Sequence, residues 1–147
     1  MTAGKIGVIE ARAKGSETTG KTRTMPRFVI LEHDHPQLHW DLMLEAGSVL
    51  RTWRLAAPLR PGAAIAAVAA ADHRLLYLDY EGPISGGRGR VVRWEHGAFT
   101  GQVQGEPPFV VQLQGERLYG VLSLEHVAGD AWLAKMKEEG GTKTEEI

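Results

Sequence analysis

The chain of 147 residues contains no cysteine. Disulfide bonds, thiolate metal sites and cysteine nucleophiles are therefore excluded, and any metal ion must be held by imidazole and carboxylate groups. No apolar run approaches the roughly 18 residues that a membrane-spanning helix needs, and the N-terminus lacks the apolar core of a secretory signal. We therefore expect a cytoplasmic protein that makes no membrane contact.

Length and composition indicate one globular domain. The chain is 43% hydrophobic and 24% charged, which is ordinary for a domain that buries its own core. Both ends are rich in glycine, threonine and charged residues without periodicity. We predict a flexible arm over residues 1–25, a folded domain over residues 26–137 and a disordered tail over residues 138–147, and we expect a monomer.

Short β-rich segments recur along the middle of the chain, separated by glycine, proline and charged residues. They read RFVILEH, LHWDLMLE, VLRTWRL, LLYLDYEG, RVVRWEHG, FVVQLQG and LYGVLSLEHV. This pattern predicts a mainly β fold, namely a small closed antiparallel barrel with short flanking helices. In LHWDLMLE the even positions 38–44 are apolar and should face the core, whereas the odd positions should line a polar groove.

Two further segments have less regular patterns. The alanine-rich stretch GAAIAAVAAADH suits a helix by propensity, but its length and neighbours also suit a strand, which we predict over residues 63–71. The segment DAWLAKMKEE is the clearest helix candidate and predicts a short C-terminal helix.

Residues 33–41, HDHPQLHWD, contain three histidines and two aspartates. Side chains two apart on a strand point to one side, so His39 and Asp41 can share an ion, and His33 or His35 can fold back after Pro36. Two imidazoles and a carboxylate suit divalent manganese, iron or zinc. Spacing alone does not choose the metal, and structural histidines remain the alternative interpretation.

Two spaced motifs extend this pattern. His-x5-His-x-Asp covers residues 33–41, and Asp-His-x3-Tyr ahead of Glu-Gly-x-Ile covers residues 72–84. With the segments around them, over roughly residues 27–137, they resemble the 3′-phosphoesterase domain of bacterial DNA ligase D and its stand-alone relatives. The resemblance implies a small closed barrel whose groove holds a manganese ion on His33, His39 and Asp41, with His35 in a non-ligand position.

The second motif implies the catalytic residues. The resemblance places His73 and Tyr77 beside the phosphate, where His73 can donate a hydrogen bond or a proton and Tyr77 can hold a phosphate oxygen. It also implies a substrate, namely the 3′ end of a DNA or DNA/RNA primer-template. A terminal ribonucleoside and then the 3′-phosphate would be removed to leave a 3′-hydroxyl, in cooperation with a separate ligase or polymerase.

The chain departs from the family at two positions. The arginine that family members place two residues after the metal-binding aspartate is Met43 here, and a family lysine is replaced by Ala57. Residues 51–93 carry seven arginines against three acidic residues, so another arginine could grip the phosphate. The candidate phosphate- or nucleic-acid-binding residues are Arg54, Arg74, Arg88 and Arg90.

Three functions follow from these patterns. The first is a manganese-dependent phosphoesterase that trims DNA 3′ ends in double-strand break repair, with activity reduced by the loss of the arginine. The second is a catalytically weakened module that keeps the metal site and binds nucleic-acid ends or a repair partner. The third is an iron-dependent oxygenase that uses the His-x-Asp pair, although we find no convincing distal histidine and arginine signature for it.

Overall fold

Nine strands in one antiparallel sheet make up most of residues 25–138, the part of the chain that the computed structural model describes. The strands are β1 (Arg27–His33), β2 (His39–Ala46), β3 (Val49–Leu55), β4 (Ala64–Arg74), β5 (Gly82–Pro83), β6 (Arg90–Gly101), β7 (Phe109–Gly115), β8 (Tyr119–Ala128) and β9 (Ala131–Glu138). A 3₁₀ helix at Leu75–Leu78 follows β4.

The sheet closes into a barrel because β1 pairs with both β2 and β6. The closed ring runs β1-β2-β3-β4-β9-β8-β7-β6, and short β5 pairs with the first residues of β6. The prediction of a mainly β, closed antiparallel barrel is thus confirmed. Within residues 25–138 the 3₁₀ helix is the only helical element, and none of the described segments is a helix that could span a bilayer.

The barrel interior is an apolar core built by alternate residues of the strands. Trp53 is fully buried there and makes edge-to-face contacts with Phe109 and Trp132, with ring centroids 6.2 and 5.4 Å apart. Burial of aromatic groups of this size dominates the stabilisation of a small core. The outward-facing residues of the same strands are therefore free to form a site.

A second, smaller apolar cluster lies outside the barrel wall, beneath the 3₁₀ helix and residues 79–90. We call it the outer cluster, and its buried members are Val29, Leu31, Met43, Leu50, Leu78 and Val91. These residues alternate with inward-facing residues on β1 and β2, as period-two geometry requires. The outer cluster fixes the segment after β4 against the barrel and forms one wall of the site.

A buried carboxylate holds the turn between β7 and β8. Glu95 is 2% exposed, and its two oxygens accept hydrogen bonds from four backbone N–H groups at 2.6–3.1 Å. The donors are His96, Glu116, Arg117 and Leu118. Four charge-assisted bonds offset the cost of burying the carboxylate.

The predicted C-terminal helix is wrong, because Ala131–Glu138 forms strand β9 between β4 and β8. Alanine, leucine, lysine and glutamate favour a helix by intrinsic propensity. However, Trp132, Ala134 and Met136 alternate with more exposed residues and complete the barrel core. Burial on a strand overrides propensity here.

The even-position rule holds in β2 but fails just before it. Trp40, Leu42 and Leu44 pack in or against the core, whereas Leu38 is 53% exposed because β2 begins at His39. The alanine-rich stretch is a strand, as predicted. The predicted arm 1–25 and tail 138–147 lie outside the described residues, except for Met25 and Glu138.

Candidate metal centre and its groove

Three side chains from the first two strands converge at one end of the barrel wall. His33 is the last residue of β1, and it pairs with His39, the first residue of β2. Asp41 Oδ2 lies 3.2 Å from His39 Nε2 and 3.7 Å from His33 Nδ1. One ligand atom from each residue lies within 4.8 Å of the others. Transition-metal bonds of about 2.0–2.2 Å place two ligands of one ion about 3–4.4 Å apart, so the group can hold a metal with little movement.

Backbone carbonyls orient both imidazoles. His39 Nδ1 lies 2.8 Å from the carbonyl oxygen of Gln37, and His33 Nε2 lies 2.8 Å from that of Arg88. A carbonyl accepts only, so these nitrogens carry the ring protons of the neutral imidazoles. The other ring nitrogens, His33 Nδ1 and His39 Nε2, then direct their lone pairs toward Asp41. A cation bound between the three side chains would accept these lone pairs. Metal-ligating histidines typically donate their other ring N–H to a carbonyl or carboxylate oxygen in this way.

An open groove of about 300 Å³ runs from this cluster across the outer face of the barrel. We call it the His–Asp groove. Its lining residues are Leu31, His33, His35, Pro36, Asp41, Met43, Arg54, Ala70, His73, Tyr77, Ile84, Arg88 and Val91. His35 lines it without belonging to the metal-binding group. The groove thus joins two of the three predicted ligands to both predicted catalytic residues.

A β-bulge brings His73 to the groove. Successive side chains of β4 point alternately into and out of the barrel, and unbroken alternation would turn His73 into the core with Ile65 and Ala67. The register between β3 and β4 shifts by one residue, so that His73 pairs with Leu50 while Ala70 pairs with Thr52. Bulges commonly re-aim side chains next to functional sites.

Buried Thr52, which sequence reasoning missed, helps to fix the His73 ring. His73 Nδ1 lies 2.9 Å from the carbonyl oxygen of Ala71 and 3.1 Å from Thr52 Oγ1, and the Thr52 hydroxyl donates to the carbonyl of Leu50. The proton of neutral His73 therefore sits on Nδ1, and Nε2 is left for a ligand. Tyr77 packs edge-on against the ring at 5.6 Å. In the sequence, Thr52 is marked only by its position two residues before Arg54, which puts both side chains on the same face of β3.

The four arginine candidates separate into two pairs. Arg54 and Arg88 line the groove, and Arg54 Nε lies 3.8 Å from Asp41 Oδ1. Arg74 and Arg90 are exposed at strand ends and are absent from the groove lining. The backbone N–H of Arg90 instead donates to Asp34.

Met43 and Ala57 occupy apolar environments. Met43 is 2% exposed within the outer cluster, although it also borders the groove. Ala57 packs against the barrel core. Neither position contributes charge to the site.

Residues 84–89 form a loop that covers one side of the metal-binding group. Asp34 Oδ1 accepts the backbone N–H of Arg90 at 2.8 Å, and the Gly89 carbonyl accepts the N–H of Ile84 at 2.8 Å. Gly89 has a φ of +77°, and a Cβ there would overlap Asp34 Oδ1 and lie 2.7 Å from His35 Cβ. This close approach aims the Arg88 carbonyl at His33, and sequence reasoning did not predict it.

Comparison with known proteins identifies the family of this barrel. The family model described as the DNA ligase D 3′-phosphoesterase domain matches residues 31–126. The multifunctional non-homologous end joining DNA repair protein LigD of Mycobacterium tuberculosis is 32% identical over 130 residues, which cover 82% of this chain and 17% of that protein. The LigD proteins of Mycolicibacterium smegmatis and Pseudomonas aeruginosa are 31% and 35% identical over 144 and 106 residues, or 86% and 64% of this chain. The matches span 19% and 12% of those two proteins, so this chain corresponds to less than a fifth of each relative. The chain belongs to the family of DNA ligase D 3′-phosphoesterase domains.

Proposed function

We propose that this domain is a divalent-metal-dependent phosphoesterase that trims 3′ ends of DNA during double-strand break repair. The observation that carries the proposal is the His–Asp groove, which is lined by a possible metal site together with His73, Tyr77 and Arg54. Family membership supports the same chemistry. The relatives' printed names connect the family with non-homologous end joining.

The donor set fits a divalent transition metal held by His33, His39 and Asp41. Two neutral imidazoles and one carboxylate form a borderline-hard site, and we propose manganese as its ion. When bound, such a cation neutralises phosphate charge and polarises phosphorus toward attack. The preset tautomers of the two histidines support this assignment, because their lone pairs already face the carboxylate.

His73 and Tyr77 would act on the phosphate itself. With Nδ1 held by the Ala71 carbonyl, protonated His73 offers its Nε2–H to a phosphate oxygen or to the departing 3′ oxygen. The Tyr77 hydroxyl can hold a second phosphate oxygen. Water adds to phosphorus as the ester bond breaks, which yields a 3′-hydroxyl and inorganic phosphate.

Arg54 is the residue that we propose as the phosphate grip in place of the family arginine lost at Met43. Arg54 pairs directly with Asp41 in the register of β2 and β3, and its side chain is 48% exposed. A guanidinium beside the metal site can bind phosphate with two parallel hydrogen bonds. Arg88 also lines the groove, but its guanidinium donates to the carbonyl and the hydroxyl of Ser85 in its own loop, so Arg54 is the better candidate.

The proposal is tested with primer-templates that end in a 3′-phosphate, a 3′ ribonucleotide or, as a control, a 5′-phosphate. With manganese we expect release of phosphate from the first and a shortened primer from the second, with the third left intact. Arg54→Ala should lower kcat/KM by about 10²-fold, whereas Arg74→Ala, outside the groove lining, should stay within about twofold. Equal losses in both variants would refute the assignment of Arg54.

Met43 supports a second candidate, a module that binds nucleic-acid ends but turns them over weakly. A buried thioether supplies no charge where family members have a guanidinium. This candidate would replace the first if the metal-loaded protein binds 3′-phosphorylated ends but releases no phosphate. We find no support for the iron oxygenase, since the family matched by the chain is a phosphoesterase domain. A ligase or polymerase partner remains a prediction.

A further inference from the structure

A second groove begins on the other side of the metal-binding group and runs across β3 to β4. We call it the lateral groove. It encloses about 340 Å³ and is lined by Pro36, Gln37, Leu38, His39, Arg54, Leu55, Ala56, Ala66 and Val68. His39 and Arg54 connect it to the candidate catalytic site, because His39 belongs to the metal-binding group and Arg54 lines both grooves.

The walls of the lateral groove are apolar and exposed. Leu38 is 53% exposed and Val68 is 50% exposed, and both are large hydrophobic side chains at the surface. The small side chains of Ala56 and Ala66 leave the space between these walls open. Exposed apolar surface beside a polar site commonly marks the place where an apolar part of a ligand binds.

We propose that the lateral groove binds the nucleoside attached to the scissile phosphate, with its base between Leu38 and Val68. This inference rests on the proposed function, because the phosphate must sit in the His–Asp groove. The volume is at the low end of the range of about 300–1,000 Å³ for small-ligand sites, so it suits one nucleoside. Arg54 stands between the two grooves, where it would contact the phosphate while its alkyl stem borders the base.

The polar groups in the lateral groove agree with a base as the occupant. Gln37 offers an amide with both donor and acceptor atoms, the groups that read a base edge. Arg54 is the only lysine, arginine or acidic side chain among the nine described lining residues. A neutral heteroaromatic ring next to an anionic phosphate matches this distribution.

The test fills the groove without altering the metal site. Ala66 and Ala64 are both exposed, and both project from the outer face of β4, but only Ala66 lines the lateral groove. Ala66→Phe should therefore block the base, and Ala64→Phe is the matched control. The substrates are a 3′-phosphorylated oligonucleotide and the same oligonucleotide with an abasic terminal residue.

We expect the wild type to have a KM about tenfold lower for the oligonucleotide with the terminal base than for the abasic one. Ala66→Phe should remove this difference and leave turnover of the abasic oligonucleotide unchanged, and Ala64→Phe should behave as wild type. If wild type and Ala66→Phe both release phosphate and each has the same KM for the two oligonucleotides, the nucleoside site is refuted and the proposed function stands.

Binding separates the two proposals if no phosphate is released. Fluorescence anisotropy with manganese and the same two oligonucleotides then measures the preference for the terminal base directly. A preference of about tenfold that Ala66→Phe abolishes supports the nucleoside site although the phosphoesterase proposal fails. Equal binding of both oligonucleotides overturns the nucleoside site as well.

Discussion

Replacing Gly89 by alanine is expected to weaken manganese binding by about 10- to 100-fold without unfolding the barrel. The added Cβ overlaps Asp34 Oδ1 and lies 2.7 Å from His35 Cβ, so the loop must move away. That movement breaks the 2.8 Å contact between His33 Nε2 and the Arg88 carbonyl. Loss of the hydrogen-bond acceptor that orients a metal-ligating histidine typically lowers metal affinity by this factor, about 1.4–2.7 kcal/mol.

Gly87→Ala in the same loop is the matched control. Gly87 has a φ of +68°, close to the +77° of Gly89, but a Cβ at Gly87 meets nothing within 4 Å. Both variants therefore carry a similar cost of a left-handed backbone, about 1–2 kcal/mol, and only Gly89→Ala displaces the loop. Isothermal titration with manganese measures affinity independently of turnover. Equal affinities of the two variants would refute the role given to the Arg88 carbonyl.

Three further changes test other parts of the molecule. Glu95→Gln should lower the free energy of unfolding in urea by about 3 kcal/mol, because two of the four backbone N–H groups that donate to the carboxylate would then face an NH2 group, which cannot accept them. A loss below about 1 kcal/mol would contradict this. The pKa of Asp79 is lowered from 3.8, first by hydrogen bonds from Arg27, so the pair's stabilisation is present above pH 3.8 and is lost as the pH falls below it. In Arg27→Ala an NMR titration should show the Asp79 pKa rising toward 3.8. The free energy of unfolding should fall by less than about 1 kcal/mol, because the ion pair is exposed. An unchanged Asp79 pKa would show that Arg27 does not cause the lowered value. Met43→Arg should raise 3′-phosphatase turnover by about 10²-fold and cost about 1–3 kcal/mol of stability in the outer cluster; a folded, metal-loaded variant without gain would show that the lost arginine is not what limits the rate.

Short-range periodicity predicted the barrel and the shared face of His39 and Asp41, whereas the choice of His33, His73 and Tyr77 rested on the resemblance of two spaced motifs to a known family. Alternation along β2 set which face carries His39 and Asp41, and the end of β1 lies beside the start of β2. The same reasoning failed for residues 131–138, where alanine and lysine favour a helix but pairing with β4 and β8 buries Trp132.

The parts that the sequence did not predict depend on contacts between distant segments. The bulge that turns His73 outward follows from the register of β3 against β4, which no local pattern specifies. Arg54 and Arg74 both lie in the arginine-rich stretch 51–93, and the register of the β2–β3 hairpin, which the sequence analysis did not assign, places Arg54 beside Asp41. The loop that aims the Arg88 carbonyl at His33 joins segments 55 positions apart.

The most direct test of the central claim measures phosphate release from a 3′-phosphorylated primer-template together with manganese binding, as the manganese concentration is raised. The rate should reach half its maximum at the concentration that half-fills one site, and chelation should abolish it. His39→Ala should remove both binding and turnover, whereas His35→Ala, which alters a groove residue outside the metal-binding group, should retain both. Turnover that persists in chelator, or that survives in His39→Ala, would contradict the account.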